Sequence, residues 1–374
     1  MRVKQRTERA SIGLGAVVVT ERARHLLLKA VDQGQIGQGP LVREFEEEVA
    51  RWFGVRHAVA VANGTAADAI ALAAVREVSD GRDEVIVPAL TFVAQINALY
   101  YRHLRPVFVD VGEDLQIDVE RIEEKVGSRT LAIMPVHLLG RPARMDPIME
   151  IARRHGLWVI EDACEALGSR YRDRLCGTIG DAGCFSFFVS HSITTGEGGM
   201  ILTNDDQLDS LARSLRNHGR LSDAPLDKFR FPRLGFSAKM NQMEAAIGLG
   251  VMPVLGEVLG ARRSHMLVLN RLLGDHFAEG PGEYIVPHGY PVPFNNGDAR
   301  DRALLRLHEL GIEARPLFSS IPTQEAAHAS LGYHEGDFPV AERIGRCGLY
   351  VPCHQNLTHD DLMYVAECLR EVMS

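Results

Sequence analysis

Residues 184–199 read CFSFFVSHSITTGEGG, and this stretch decides the fold class. Its first five residues are apolar except for Ser186, a pattern typical of a strand buried on both faces. The glycine-rich end, residues 196–199, predicts a turn, because glycine adopts backbone conformations that other residues avoid. A further short apolar run follows directly at residues 200–203. His191 therefore lies between a buried strand and a turn.

Outward from this stretch, short apolar runs recur along the chain, mostly with longer segments between them. Some of the other segments carry helical periodicity, as in Leu41, Phe45, Val49 and Phe53. Strands that alternate with helices predict an α/β fold with a mainly parallel central sheet covered on both faces. The predicted strands are residues 84–88, 106–110, 131–136, 157–162, 184–188 and 200–203.

The pattern changes near residue 260, where short strands and helices indicate a smaller α/β unit. A chain of 374 residues also exceeds the length of one ordinary core. We therefore predict an N-terminal arm over residues 1–33, a large α/β domain over 34–258 and a smaller C-terminal α/β domain over 259–374.

Composition excludes several classes of protein. A formal net charge of -8 argues against a nucleic-acid binder. No run approaches the roughly 18 apolar residues of a membrane helix, and residues 10–19 do not resemble a signal peptide. The six cysteines form no CxxC pair and no metal-type spacing. These features predict a reduced, cytoplasmic protein without a bound metal or membrane partner.

Several residues have side chains suited to a planar, phosphorylated ligand, and each also has a plainer explanation. Gly64 and Thr65 open a helical stretch whose N-H groups can hold a phosphate, although a strand-to-helix turn explains them equally well. Asp162 ends a strand, where a carboxylate can pair with a protonated pyridine nitrogen. Phe92 can stack on a ring or belong to the core. Ser186 can donate to a phosphate or satisfy a backbone group.

Taken in order, these segments resemble the DegT/DnrJ/EryC1/StrS family of sugar aminotransferases, which have the fold type I architecture of enzymes dependent on pyridoxal 5'-phosphate (PLP). The resemblance runs from about residue 34 to the C-terminus. The matching stretches are IGQGPLVREFEEEVARWFG (36–54), VANGTAA (61–67), PVHLLG (135–140), IEDACEALG (160–168), GEGG (196–199), RNHG (216–219) and EAAIGL (244–249).

The resemblance assigns cofactor roles to five of these residues. It implies that Gly64, Thr65 and Ser186 hold the phosphate of PLP or of pyridoxamine 5'-phosphate (PMP). It further implies that Phe92 covers the cofactor ring and that Asp162 binds the ring nitrogen.

His191 stands where the family carries the lysine that forms a Schiff base with PLP. An imidazole cannot form that bond with an aldehyde. The chain has five lysines, and none lies between residues 126 and 227, so no neighbouring lysine can substitute. We therefore expect a cofactor that is not covalently bound through lysine.

A second departure is Glu165, at a position where the aminotransferases usually carry Gln or His near the cofactor's phenolic oxygen. Together with His191, Glu165 resembles the 3-dehydratases of this superfamily, lyases that act on nucleotide-linked 4-keto-6-deoxy hexoses. This implies that PMP condenses with the C4 ketone and that His191, as catalytic base, directs loss of the C3 hydroxyl. The expected product is a 3,6-dideoxy-4-keto sugar, with an amino donor such as glutamate restoring PMP.

Two other functions remain open. Residues 312–324 and 338–352 look more like the 4-aminotransferases of the perosamine synthase type. A nucleotide-sugar 4-aminotransferase in which His191 replaces the lysine is therefore an alternative. The third possibility is a non-catalytic protein that binds a sugar nucleotide or PLP.

The resemblance also implies a homodimer with shared active sites. Ser237 and Lys239 lie in the stretch GFSAK, where the family motif usually carries an asparagine that reaches the neighbouring subunit's phosphate; here Ser237 replaces it. With Asn241, these residues would serve the opposite subunit. His218 and Arg315 are candidate substrate contacts, against the alternatives of a helix-end histidine and a solvated charge.

Overall fold

A seven-stranded sheet forms the centre of the fold. The structure, a computed structural model, describes residues 11–222 and 224–373. In pairing order the strands are β1 (His57–Val61), β9 (Gly199–Thr203), β8 (Ala182–Ser186), β5 (Trp158–Asp162), β4 (Thr130–Ile133), β2 (Glu84–Pro88) and β3 (Arg105–Val109). Strand β9 is antiparallel to both of its neighbours, and the other pairs are parallel. The predicted α/β fold with a mainly parallel sheet is confirmed.

Eleven α-helices and two small antiparallel sheets complete the part of the chain that the structure describes. The helices are α1 (Glu21–Asp32), α2 (Pro40–Phe53), α3 (Gly64–Glu77), α4 (Val93–Tyr100), α5 (Met145–His155), α6 (Asp206–Leu215), α7 (Gln242–Val251), α8 (Leu255–Leu273), α9 (Gly297–Glu309), α10 (Pro339–Cys347) and α11 (His359–Met373). The small sheets pair in the orders β10 (Glu283–Tyr284), β6 (Arg170–Tyr171), β7 (Arg174–Leu175) and β11 (Tyr290–Pro293), β13 (Gly348–Val351), β12 (Arg315–Pro316). Short 3-10 helices lie at Val119–Arg121, Glu123–Lys125, Leu138–Gly140, Met252–Val254, Pro322–Gln324 and Ala326–Leu331.

Both faces of the central sheet are buried, because successive side chains of a strand point to opposite faces. In β1, Val59 belongs to the apolar cluster that includes α3. Its neighbour Ala60 belongs to the cluster formed with α2 and α7. Farther along the sheet, Ile133 packs in a third cluster with α5. This double coverage explains why the strands read as continuous apolar runs rather than as alternating ones.

Helix α3 is the element that brings the sheet and the C-terminal region together. It begins where Asn63 accepts a hydrogen bond from the Ala66 N-H at 2.8 Å, an N-cap that satisfies one of the unpaired donors of the first turn. Side chains on all of its sides from Ala67 to Val75 are buried. Its cluster includes Tyr290 and Leu349 from the small C-terminal sheet. Because α3 is buried on all sides, packing fixes its position in the fold. Its N-terminus faces the site described below.

The predicted division into an arm and two domains remains a prediction. Helix α8 runs without interruption across the predicted boundary between residues 258 and 259. In the predicted arm, α1 packs against α7 so closely that a Cβ on Gly250 would lie 2.4 Å from the Ala23 Cβ. Ile12 forms an isolated bridge with Ile312. Residues 1–10 of the predicted arm lie outside the described residues.

One helical stretch, Gln242–Leu273, is long and apolar enough to cross a membrane by length and composition. The sequence prediction concerned an uninterrupted apolar run, and Glu257 interrupts this one. In the fold, 56% of its most apolar window is buried inside the protein. Packing against α1, α2 and α11 accounts for that apolar character.

Candidate active site

A cavity of about 580 Å³ opens at the carboxyl ends of the parallel strands, the usual ligand-binding edge of an open α/β sheet. Residues that follow β1, β2, β4, β5 and β8 line it, together with residues of the C-terminal region. The sequence-predicted residues among its lining are Gly64, Thr65, Phe92, Asp162, Glu165, Ser186, His191 and Arg315.

The N-terminus of α3 forms one wall of the cavity. Gly64 is the first residue of the helix, so its N-H and that of Thr65 belong to the first turn, whose donors have no intrahelical partners. A Cβ on Gly64 would lie 2.8 Å from the Ser186 Cβ and 3.0 Å from the Cys164 Sγ. Only glycine therefore lets the Ser186 hydroxyl approach the helix N-terminus. Backbone donors, a hydroxyl and a helix dipole at one place fit a phosphate.

Asp162 ends β5, also lines the cavity and is 8% exposed. One carboxylate oxygen accepts a hydrogen bond from the Cys164 N-H at 3.1 Å. Burial raises the pKa of the Asp162 carboxyl above its ordinary value, because its charged form is poorly solvated there. A cationic partner would relieve that cost. A protonated ring nitrogen is such a partner, so Asp162 fits the pyridine end of PLP.

Phe92 lies at the mouth of the cavity with 60% of its surface exposed. The alternative of a core phenylalanine is therefore wrong. Its ring centroid is 6.2 Å from that of Phe318. An exposed aromatic face beside a cavity is suited to cover a planar ring.

His191 projects into the same cavity from the turn after β8. Its Nδ1 is buried and has no hydrogen-bond partner in the part of the chain that the structure describes. Burial, and then the charge of Arg262, lower the pKa of His191 to about 3. The imidazole is therefore neutral over the physiological range, but in the cofactor-free protein it is a weaker base than an ordinary histidine.

Arg262 fixes the segment that carries His191, and no sequence motif pointed to it. Its guanidinium is fully buried and donates to the carbonyls of Ser190 at 3.1 Å and His191 at 3.2 Å. It also donates to the carbonyls of Pro287 and His288 at 3.2 and 3.3 Å. The segment of His191 is thereby tied to the start of the C-terminal region.

Glu165 and His288 form a second titratable pair beside His191. Burial raises the pKa of Glu165 to about 7, against the hydrogen bond that its carboxylate accepts from Leu139 N at 2.7 Å. His288 lies with its Nε2 3.9 Å from the Glu165 Oε1 and its ring centroid 4.7 Å from that of His191. His288 comes from a loop far along the chain, and no sequence pattern pointed to it.

The remaining predicted residues lie in different places. Arg315 lines the cavity beside Tyr350, its partner in the β12–β13 pairing. His218 is exposed and packs near Phe231, and it is not among the residues that line the cavity. Ser237 pairs with Asn217, whose side-chain oxygen accepts from the Lys239 Nζ at 3.0 Å, also off the cavity. Asn241 caps α7 through a capping box.

These observations together test whether PLP fits. The cavity offers a phosphate cradle, a buried carboxylate and an exposed aromatic face, and these match the three parts of the cofactor. Among the described residues, no lysine lines the cavity. The residues therefore fit the cofactor itself but offer no amine for a covalent bond to it.

Comparisons with known proteins agree with this geometry. Residues 18–370 match the model of the DegT/DnrJ/EryC1/StrS aminotransferase family. GDP-perosamine synthase of Caulobacter vibrioides is 39% identical, over 97% of this chain and 98% of that protein. A UDP-N-acetyl-3-dehydro-alpha-D-glucosamine 3-aminotransferase of Acidithiobacillus ferrooxidans is 35% identical, over 92% of each. The solved structure of Helicobacter pylori PseC, an aminotransferase of pseudoaminic acid biosynthesis, superposes with a TM-score of 0.89 at 25% identity, covering 97% of this chain and 99% of its own. The chain belongs to the DegT/DnrJ/EryC1/StrS aminotransferase family.

Proposed function

We propose that the protein uses PLP and PMP to transfer an amino group from a donor such as glutamate to a nucleotide-linked keto sugar. The substrate class is a 4-keto-6-deoxy hexose. The observation that carries the proposal is a cavity whose residues fit the cofactor, in a chain that resembles GDP-perosamine synthase over 97% of its length. Its six free cysteines suit a reducing compartment, and we place the protein in the cytoplasm.

We assign each of these residues a role in holding the cofactor. Gly64, Thr65 and Ser186 hold the phosphate, and Phe92 covers the ring. Asp162 keeps the ring nitrogen protonated. When bound, the cofactor supplies an electron sink for the carbon that bears the transferred nitrogen.

Proton transfer falls to His191, because no lysine lines the cavity among the described residues. Its side chain lines the cavity, and among the described residues its Nδ1 has no hydrogen-bond partner. Arg262 holds the backbone of this residue, and burial, followed by the charge of Arg262, keeps the imidazole neutral. The phosphate cradle, Asp162 and Phe92 would hold the cofactor through non-covalent contacts alone.

A second candidate, the 3-dehydratase, is favoured by one specific observation. Burial raises the pKa of Glu165 to about 7, so its carboxyl group can be protonated near neutral pH. A protonated carboxyl beside a neutral imidazole is suited to deliver a proton to a departing C3 hydroxyl. The relatives described above are named for amino transfer or perosamine synthesis, so this candidate ranks second.

The two functions differ in the mass of the product. The protein is incubated with PLP, glutamate and GDP-, dTDP-, UDP- or CDP-linked 4-keto-6-deoxy hexoses. A 4-amino sugar that retains its C3 oxygen supports amino transfer. A product that lacks the C3 oxygen supports dehydration. If no product forms with any of the four nucleotides, both functions are contradicted. His191→Asn serves as the variant without a base, and we expect it to lose at least tenfold in rate.

We also propose a homodimer in which Ser237 and Lys239 serve the neighbouring site. The support comes from exposed apolar side chains after α6, which a partner subunit would cover. Leu226, Phe229 and Leu234 are 92%, 81% and 78% exposed. Such a patch is costly to leave in water. Light scattering tests the dimer, and PLP affinity of Lys239→Gln tests the shared site. A monomer contradicts both parts.

A further inference from the structure

Asp68 is a second buried carboxyl group in the cavity wall, and neither the predicted site nor the proposed function uses it. It lies on α3, in an otherwise apolar run from Ala66 to Val75. Only 1% of Asp68 is exposed, and within residues 11–222 and 224–373 its buried Oδ1 finds no hydrogen-bond partner. An apolar residue would suit this position, so the carboxyl group calls for an explanation.

Asp68 faces the residue that we assign to the ring nitrogen. One ligand atom each of Asp68, Asp162 and Cys164 lies within 4.8 Å of the other two. The other titratable group facing Asp68 is the Cys184 thiol, from β8. His137 acts on Asp162 from farther away and is itself paired with the buried Glu161 at 2.8 Å. In the described part of the chain, the titratable groups that face Asp68 are therefore one carboxyl group and two thiols, and none of them is a cation.

Two carboxyl groups this close in a buried place do not both ionise. Burial, and then the charge of Asp162, raise the pKa of Asp68 well above its ordinary value. Burial also raises the pKa of Asp162. Asp162 accepts a backbone hydrogen bond that favours its ionised form. Among the described residues the Asp68 Oδ1 has no partner, and the hydrogen bond that favours the ionised form of Asp68 comes from the Cys184 thiol, a weak donor. The asymmetry favours the proton on Asp68.

We propose that Asp68 and Asp162 share one proton in the cofactor-free protein, and that Asp68 holds this proton when Asp162 binds the ring nitrogen. Asp68 is thus a positioning residue that acts through Asp162. Its role toward the cofactor rests on the proposed function, whereas the shared proton does not.

The shared proton is tested without cofactor, by urea unfolding of the wild type, Asp68→Asn, Asp162→Asn and the double variant between pH 5 and pH 8. A proton held in the fold but released on unfolding makes the unfolding equilibrium constant rise up to tenfold per pH unit. We expect this rise in the wild type and most of it in Asp162→Asn, because burial alone keeps the Asp68 carboxyl protonated, and a clearly smaller rise in Asp68→Asn. The effects of the two substitutions should be non-additive, by an amount that grows with pH.

A matched control is Asp181→Asn. Asp181 also has a pKa raised by burial, but its neighbouring charges are Asp205 and Glu161 rather than Asp162. Its effect should add to that of Asp162→Asn at every pH. Parallel pH profiles of the wild type and Asp68→Asn, or additive effects at positions 68 and 162, would overturn the proposal. If a variant does not fold, carboxyl ¹³C NMR of the wild type decides, because a shared proton requires a protonated aspartate at pH 7.

The role of Asp68 toward the cofactor is tested separately, by titrating the protein with PLP. Asparagine mimics a protonated carboxyl, so Asp68→Asn should keep its Kd within threefold of the wild type. Asp162→Asn should weaken binding at least tenfold. A tenfold loss in Asp68→Asn would overturn the assignment of the proton to Asp68. If Asp162→Asn binds PLP normally, the proposed cofactor site fails while the coupling in the cofactor-free protein still stands.

Discussion

Gly64→Ala tests the phosphate cradle at the N-terminus of α3. The added Cβ would lie 2.8 Å from the Ser186 Cβ and 3.0 Å from the Cys164 Sγ. Carbon contacts are comfortable only at about 3.5–4.0 Å, so α3 or β8 must shift by several tenths of an ångström. Overpacking of this kind costs about 1–3 kcal/mol, and loss of glycine entropy in the unfolded chain returns about 0.4–1 kcal/mol. We expect a net loss of roughly 1–2 kcal/mol in the free energy of unfolding.

The same shift moves the helix N-terminus away from the phosphate. We expect the Kd for PLP to rise at least tenfold, or about 1.4 kcal/mol. The assays are urea unfolding of the cofactor-free protein and PLP titration followed by absorbance. Gly256→Ala on α8 is the matched control, because its Cβ would meet nothing within 4 Å. It should raise stability by about 0.5–1 kcal/mol and leave the Kd unchanged.

Ser186→Gly removes the atom nearest to the new Cβ. The stability losses of Gly64→Ala and Ser186→Gly should therefore be smaller together than their sum, whereas PLP binding should remain weak in the double variant. If Gly64→Ala binds PLP as tightly as the wild type and unfolds at the same urea concentration, the phosphate lies elsewhere and the reasoning is refuted.

Three further predictions concern the other walls of the cavity. Phe92→Ala should weaken PLP binding by about 1 kcal/mol while leaving urea unfolding unchanged, because the ring is exposed; equal Kd values would contradict a stacking role. Glu165 has a folded-state pKa of about 7 against an ordinary 4.5, so it destabilises the fold by about 3 kcal/mol as pH rises through that window. Glu165→Gln should remove this loss, and a wild-type-like pH profile would refute it. Arg262→Gln should raise the pKa of His191 above about 3, measured by ¹⁵N NMR, because it removes a positive charge that opposes protonation; an unchanged pKa would count against this cause.

The sheet and the cofactor-binding edge follow from the sequence for a physical reason. Buried parallel strands read as apolar runs, and ligand residues follow their carboxyl ends in chain order. Gly64, Ser186 and Asp162 were therefore predictable, since each directly ends or follows a strand. Their close approach was not, because it depends on how α3 docks against β8.

Residues that meet only through tertiary packing leave no recognisable pattern in the sequence. Asp68 looks like a surface position of a helix, yet α3 is buried on all sides. His288 and Arg262 belong to the C-terminal region and meet His191 only through tertiary packing. Sequence separation hides such contacts, because periodicity reports the local element and not its neighbours.

The central claim is a PLP site without a covalent bond, with His191 in place of the lysine. The most direct measurement is protein mass after loading with PLP, reduction with borohydride and denaturation, for the wild type and His191→Lys. Absorbance should show PLP bound to both before reduction. The account predicts that the wild type retains no cofactor mass and that His191→Lys retains one cofactor per chain. Covalent cofactor on the wild type, or no PLP bound before reduction, would contradict the account.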